Sequence, residues 1–195
     1  MPYLEKHQIE LNREKLSSNL QTLGRQYKAR KSELDTVSIK PSEFEDFEKL
    51  GYSISKKLKT KLTIEKQKEH GNFLEDKIWC LMYRMGFRTL NLDETFRLKY
   101  GEGSGDFQQI DVVAINEEVA ILIECKSSEK VKNVSYKEFL ESASFKIDGF
   151  RKSIEDLVGK RKVKYVLATH NQKIGNQVLL EFSLPWNPKY FFELF

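Results

Sequence analysis

The sequence predicts an α/β protein, a mixed sheet covered on both faces and preceded by a helical N-terminal extension. Three observations carry this reading. From Asn72 onward the hydrophobic patterns run helix, three strands, helix, strand. The two central strands, in IDVVAI and VAILIE, are apolar at consecutive positions, as strands buried on both faces are. Before them runs a single narrow seam of apolar residues spaced by threes and fours. A chain of 195 residues holds one ordinary domain and an appendage, here 1–70 as the extension and 71–195 as the core domain.

Each element has its own signal. Positions 9, 16, 20, 23, 27 and 34 hold Ile, Leu, Leu, Leu, Tyr and Leu, interrupted by Arg13 and Arg30. One helix with that seam would pair with a second copy or a docking partner, or lie against its own domain. Pro41 and Ser42 open a short helical stretch that Gly51 ends, and a basic segment leads to His70. NFLEDKIWCLMYRMGF places Leu74, Ile78, Leu81, Met82 and Met85 on one helical face, with Gly86 at the stop. ETFRLKY reads as extended, GEGSGD as a glycine-rich loop, residues 135–157 as a helix, and VKYVLATH as the last strand. The aromatic tail, with Trp186, Tyr190, Phe191, Phe192 and Phe195, would pack on the core or on a partner.

Composition narrows the function. Charged residues make up 32% and hydrophobic residues 39%, which excludes both a membrane-spanning and a fully disordered chain. A net charge of +4 and a pI near 8.9 permit a nucleic-acid partner without demanding one. The cations cluster in KKLKTK (56–61), in Arg151 and Lys152, and in KRKVK (160–164), each of which also reads as a solvated face. Cys80 and Cys125 sit inside hydrophobic segments without suitably spaced histidines, so they read as buried thiols of a reducing compartment. MPYLEKHQIELNREK has no apolar run after its charges, so neither a signal peptide nor a membrane anchor is expected and the cytoplasm is the default location.

Chemistry concentrates in QQIDVVAINEEVAILIECKSSEK, residues 108–130. If its two strands form a hairpin with a loop of two or four residues, facing positions sum to 235. Val112 then faces Ile123, and Asp111 faces Glu124 with Cβ atoms about 4.5–5.5 Å apart. Lys126 returns to the same face two residues on. A loop of odd length would put the two acids on opposite faces. Two adjacent carboxylates at the end of a buried sheet need compensation, which a hard divalent cation supplies. A structural Glu124–Lys126 ion pair with Asp111 at a turn is the plainer alternative.

Asp111, followed by Glu124, Cys125 and Lys126, resembles the signature of the PD-(D/E)XK nuclease superfamily, whose fold is the restriction-endonuclease-like core. IDVVAI and ILIECKS on successive strands, between a glutamate-bearing helix and a helix and strand, look like the branch of Mrr-type enzymes and Holliday junction resolvases. The likeness covers about residues 70–170, with Ile110 where the motif name has proline.

The resemblance implies a metal-dependent endonuclease acting on DNA, in restriction, defence or repair, and leaving a 5′-phosphate and a 3′-hydroxyl. Asp111, Glu124 and the carbonyl of Cys125 would hold Mg²⁺ or Mn²⁺, and Lys126 would orient or help deprotonate the attacking water and steady charge on the phosphate. The family's helix glutamate maps onto Glu75, although Asn72 and Glu75 also have capping-box spacing, and Asp76 is expected to point away from the apolar face. Glu102 and Asp106 in the glycine-rich loop fit either the site or turn chemistry. Arg151, Lys152, Lys160, Arg161, Lys162 and Lys164 would neutralise phosphates, and Gln172 reads either as a contact to the scissile region or as an ordinary loop residue. The alternatives are a catalytically silent DNA-binding or assembly module of the same fold, and a dimeric junction resolvase.

Overall fold

The computed structural model describes residues 2–93, 95–134 and 137–174, so the aromatic tail lies outside the described residues. The chain opens with α1 (Lys6–Glu14), the short strand β1 (Leu16–Ser17) and α2 (Leu20–Arg30). Then come β2 (Leu34–Ile39), α3 (Phe44–Lys49), β3 (Ser53–Lys57) and β4 (Leu62–Gln67). Next are α4 (His70–Arg84), β5 (Thr89–Asn91), β6 (Arg97–Lys99), β7 (Phe107–Gln109) and β8 (Val112–Ile115). Last come β9 (Val119–Val134), α5 (Lys137–Val158) and β10 (Lys162–Ile174).

The central sheet has the order β1-β5-β8-β9-β10. Its pairings are antiparallel except β9 with β10, which run parallel across the α5 crossover, so the sheet is mixed. The β8–β9 hairpin has the register read from the sequence, Val112 opposite Ile123, Val113 opposite Leu122 and Ala114 opposite Ile121. Alternate residues therefore go to opposite cores. Val113, Ile115, Ala120 and Leu122 join Phe150, Ile154 and Leu157 of α5, while Val112, Ala114 and Ile123 join Leu74, Ile78, Trp79 and Met82 of α4. Covering both faces is why the hairpin carries no polar alternation. Gly86, at φ 92°, stops α4 in the left-handed region that glycine enters without steric cost.

The extension departs from expectation twice. The single seam helix is broken at 15–19, because Asn19 caps α2 by accepting a hydrogen bond from the Thr22 amide, and Ser17 and Ser18 offer the backbone further alternatives to helix. Most of the seam is also consumed within the chain, with Leu20 left exposed. Ile9 and Leu16 pack on the α5 side of the sheet, Leu23 and Tyr27 on the α4 side, and Arg13 donates to the Leu157 carbonyl. A dimer through this seam would have to displace those contacts.

Second, residues 34–67 are largely not helical. They form an antiparallel sheet, β2-β4-β3, with its own core of Ile39, Tyr52, Leu62 and Ile64 beside Phe44 and Phe47. The alternation Leu62, Ile64 is only two residues long and is hidden among lysines, whereas the short helical stretch read from Pro41 is present as a 3-10 turn running into α3 and ending before Gly51.

Asp76, expected to point away, joins this sheet to the core. One carboxylate oxygen meets Arg30 Nη1 and the other Lys68 Nζ, both at 2.6 Å, and all three side chains are under 20% exposed. Arg30 also lies over the Trp79 ring and donates to the Leu92 carbonyl. On the other face, α5 approaches the segment after β6 so closely that a β-carbon on Gly149 would overlap the Tyr100 carbonyl.

Two outcomes follow for stability. Asp76→Ala leaves two nearly buried cations without their counter-charge and is expected to cost about 3 kcal/mol in urea unfolding, where a change under about 0.5 kcal/mol would remove the latch from the account. Gly149→Ala is expected to destabilise by at least about 1 kcal/mol, although alanine is the better helix former by roughly that amount. A rise in the thermal midpoint would show that α5 can shift away from Tyr100.

Candidate active site

The site begins where β8 and β9 start to pair. Asp111 immediately precedes β8, and the register that sets Val112 against Ile123 carries Asp111 to the level of Glu124. Asp111 Oδ2 accepts a hydrogen bond from the Cys125 amide at 2.7 Å, which ties the first acid to the strand that bears the second. Glu124 is 13% exposed, and its Oε1 lies 2.6 Å from Lys126 Nζ. The Asp, Glu and Lys grouping expected from the sequence is therefore assembled on adjacent strands.

Electrostatics follow from that crowding. Burial alone would lower the Lys126 ammonium, but its hydrogen bond to Glu124 and the fields of Glu124 and Asp111 outweigh burial and hold it above its ordinary value. Lys126 thus stands as a firmly protonated cation. Burial pushes the Cys125 thiol far up, helped by Asp111, Glu75 and Glu124. These three carboxylates therefore act on one point of the sheet.

Glu75 reaches this neighbourhood from α4. The capping-box reading does not hold, because the helix starts at His70 with Glu69 at the N-cap, and Asn72 lies inside it. Glu75 and Asp111 instead line one cleft of about 630 Å³ between the small sheet and the core, with Lys28, Lys66 and Asn72 among its other walls.

Three residues not singled out in the sequence position the acids. Asn91, fully buried on β5, donates to the Asp111 carbonyl and accepts from the Val113 amide, fixing the backbone on both sides of the strand start. Gln108 of β7 donates to Glu124 Oε2 at 3.1 Å and to the Tyr165 hydroxyl at 2.7 Å. Tyr165 of β10 donates to the same Glu124 oxygen, and burial followed by the field of Glu124 pushes its hydroxyl well above the usual range. Gln108 lay in the quoted stretch, but only the β6–β7 hairpin brings it to Glu124.

The expected phosphate-binding cations are not gathered here. Lys160, Arg161 and Lys162 sit at the turn end of the sheet, where Lys162 pairs with Val119, five residues and about 17 Å along β9 from Glu124. Arg161 donates there to the Asn116 carbonyl. Lys164 pairs opposite Ile121. On α5, Arg151 is paired with Asp148, and Lys152 lies 3.8 Å from Glu102 and over the Tyr3 ring. Asp106 accepts from the Gly103 amide, so turn chemistry accounts for it. Gln172 lies on β10 opposite Lys132, past a register break, and its side chain is outside the described residues.

A divalent cation fits the donor chemistry. Among the described residues no three or more His, Cys, Asp or Glu side chains are gathered into a metal cage. Magnesium, however, is commonly held by one or two carboxylates and keeps its waters. Asp111, Glu124 and the Cys125 carbonyl offer hard oxygens alone, and the buried Gln108 Oε1 beside Glu124 has no hydrogen-bond partner. Set against known proteins, the chain matches no family model, no curated protein and no solved structure.

The thiols give a direct check on this environment. With both pKa values raised, by burial first in each case, Cys80 and Cys125 carry little thiolate at about pH 8. The native protein is expected to react with an aromatic disulfide reagent far more slowly than free cysteine, and denatured protein to release both thiols at once. A fast thiol in the native state would mean that Cys125 is not buried between these acids.

Proposed function

We propose that the chain is a metal-dependent deoxyribonuclease of the PD-(D/E)XK superfamily, built on a restriction-endonuclease-like core. One observation carries the reading: Asp111 and Glu124 are brought level on adjacent buried strands, with the Lys126 ammonium on Glu124. A structural ion pair needs only the second and third of these. It does not account for a second carboxylate, Asp111, aligned beside them, or for a third, Glu75, that lines one cleft with Asp111.

Asp111, Glu124 and the Cys125 carbonyl would hold a divalent cation, which when bound polarises the phosphoryl oxygens and acidifies a water. Lys126 supplies a fixed positive charge where negative charge grows on the phosphate. Two residues along β9 from Glu124 and hydrogen-bonded to it, Lys126 is placed to orient the attacking water. Asn91 and Gln108 keep the two carboxylates in register. Water adds to phosphorus and releases a proton to solvent, the bond to the 3′ oxygen breaks, and that oxygen takes a proton from solvent and leaves as a hydroxyl, with 5′-phosphate as the other product.

The test is incubation of wild type, Asp111→Asn, Glu124→Gln and Lys126→Ala with plasmid and four-way-junction DNA in Mg²⁺, Mn²⁺ or EDTA. Nicking that needs metal and falls at least about a hundredfold in each variant is expected. DNA binding without cleavage by any of them, under any metal, would make the fold a silent module. Preference for the junction, together with a dimeric mass, would point to a resolvase.

A further inference from the structure

The tip of the β3–β4 hairpin is unlike the rest of the surface. Lys56, Lys57, Lys59 and Lys61 lie within six residues, all exposed, with no acid between Ser53 and Lys61. Among the described residues none of the four is in an ion pair. The turn is closed by the Leu58 amide donating to the Lys61 carbonyl, and it holds Leu58 at the apex, 50% exposed. Four uncompensated like charges on one tight turn repel each other.

Lysines on an exposed edge strand also guard against edge-to-edge pairing, and Lys56 and Lys57 on β3 suit that task. It does not explain Lys59 and Lys61 in the turn itself, or an apolar residue at the apex. The same sheet walls the cleft that Asp111 and Glu75 line, through Leu34 and Lys66 at its near end. From Leu62 to Gln67, β4 runs about 17 Å. A nucleic-acid strand covers that distance in five steps of about 3.4 Å.

We propose that this hairpin tip is a backbone grip for nucleic acid, with Lys56, Lys57, Lys59 and Lys61 contacting phosphates and Leu58 pressing against sugar or base, on the strand that enters the Asp111 cleft. The inference rests on the nucleic-acid reading above but does not need cleavage. A stack of like charge with an apolar apex would also suit an anionic membrane surface. Continuity with the cleft, through Lys66 on the same sheet, favours nucleic acid.

The grip is tested by anisotropy of a labelled duplex of about 20 base pairs in EDTA, from about 50 to 200 mM salt. Wild type is compared with a variant carrying Lys→Gln at 56, 57, 59 and 61, and with Leu58→Ser, each first shown to melt like wild type. The lysine variant is expected to bind at least about tenfold more weakly, with the salt slope reduced by about 2 to 4. The Leu58 variant is expected to lose a few-fold with the slope unchanged. Equal affinity and slope in wild type and the lysine variant would overturn the grip, whether or not wild type cleaves DNA. So would failure of wild type to bind duplex while it binds phosphatidylserine vesicles. Loss of binding in the lysine variant of a protein that never cleaves would keep the grip and remove the nuclease.

Discussion

The pairing of β8 with β9 is the constraint on which the other parts hang. Side chains on a strand alternate strictly, so a shift of one residue would exchange the α4-side and α5-side cores and move Asp111 away from Glu124 together. Each apolar residue of the hairpin therefore votes for the same register. Val112 and Ile123 among the α4 residues, and Val113 and Leu122 among the α5 residues, hold two carboxylates level that would repel each other if left alone. The charged group sits where the apolar run of β8 begins, level with Glu124 partway along β9.

Around that pair the chain spends backbone and amide groups with economy. Asn91 is buried completely, yet its amide satisfies the strand start at Asp111 and Val113, and its carbonyl takes the Trp79 indole. Gln108 answers Glu124 from the β6–β7 hairpin. The Asp76 latch performs a comparable service between the small sheet and α4, so the cleft has walls on independent elements that are tied at one buried point.

Much of this was legible in the letters, and the limits have physical causes. The hairpin register could be read because apolar runs on two faces and the parity of a short loop both constrain it. Glu75 could be nominated, but its capping alternative was resolved only by where the helix begins, two residues ahead of Asn72. The small sheet was missed because its apolar alternation is brief and its strands are rich in lysine. The broken seam helix was missed because Ser17, Ser18 and Asn19 compete for the backbone without altering the spacing of the leucines. The basic cluster at 160–164 was easy to see and hard to place, since composition does not say which end of a strand it occupies.

The edge of the main sheet is supplied from the start of the chain. β1 pairs antiparallel with β5, Leu16 opposite Asn91, and Leu4 and Leu23 fill opposite cores. Residue 70 is therefore a seam in the sequence pattern but not in the packing. A version of the protein beginning at residue 71 would leave the β5 edge bare beside Asn91, open two apolar holes and remove the Arg30 and Lys68 partners of Asp76. The boundary that looks natural for excising the core would strip the support from the very asparagine that sets Asp111.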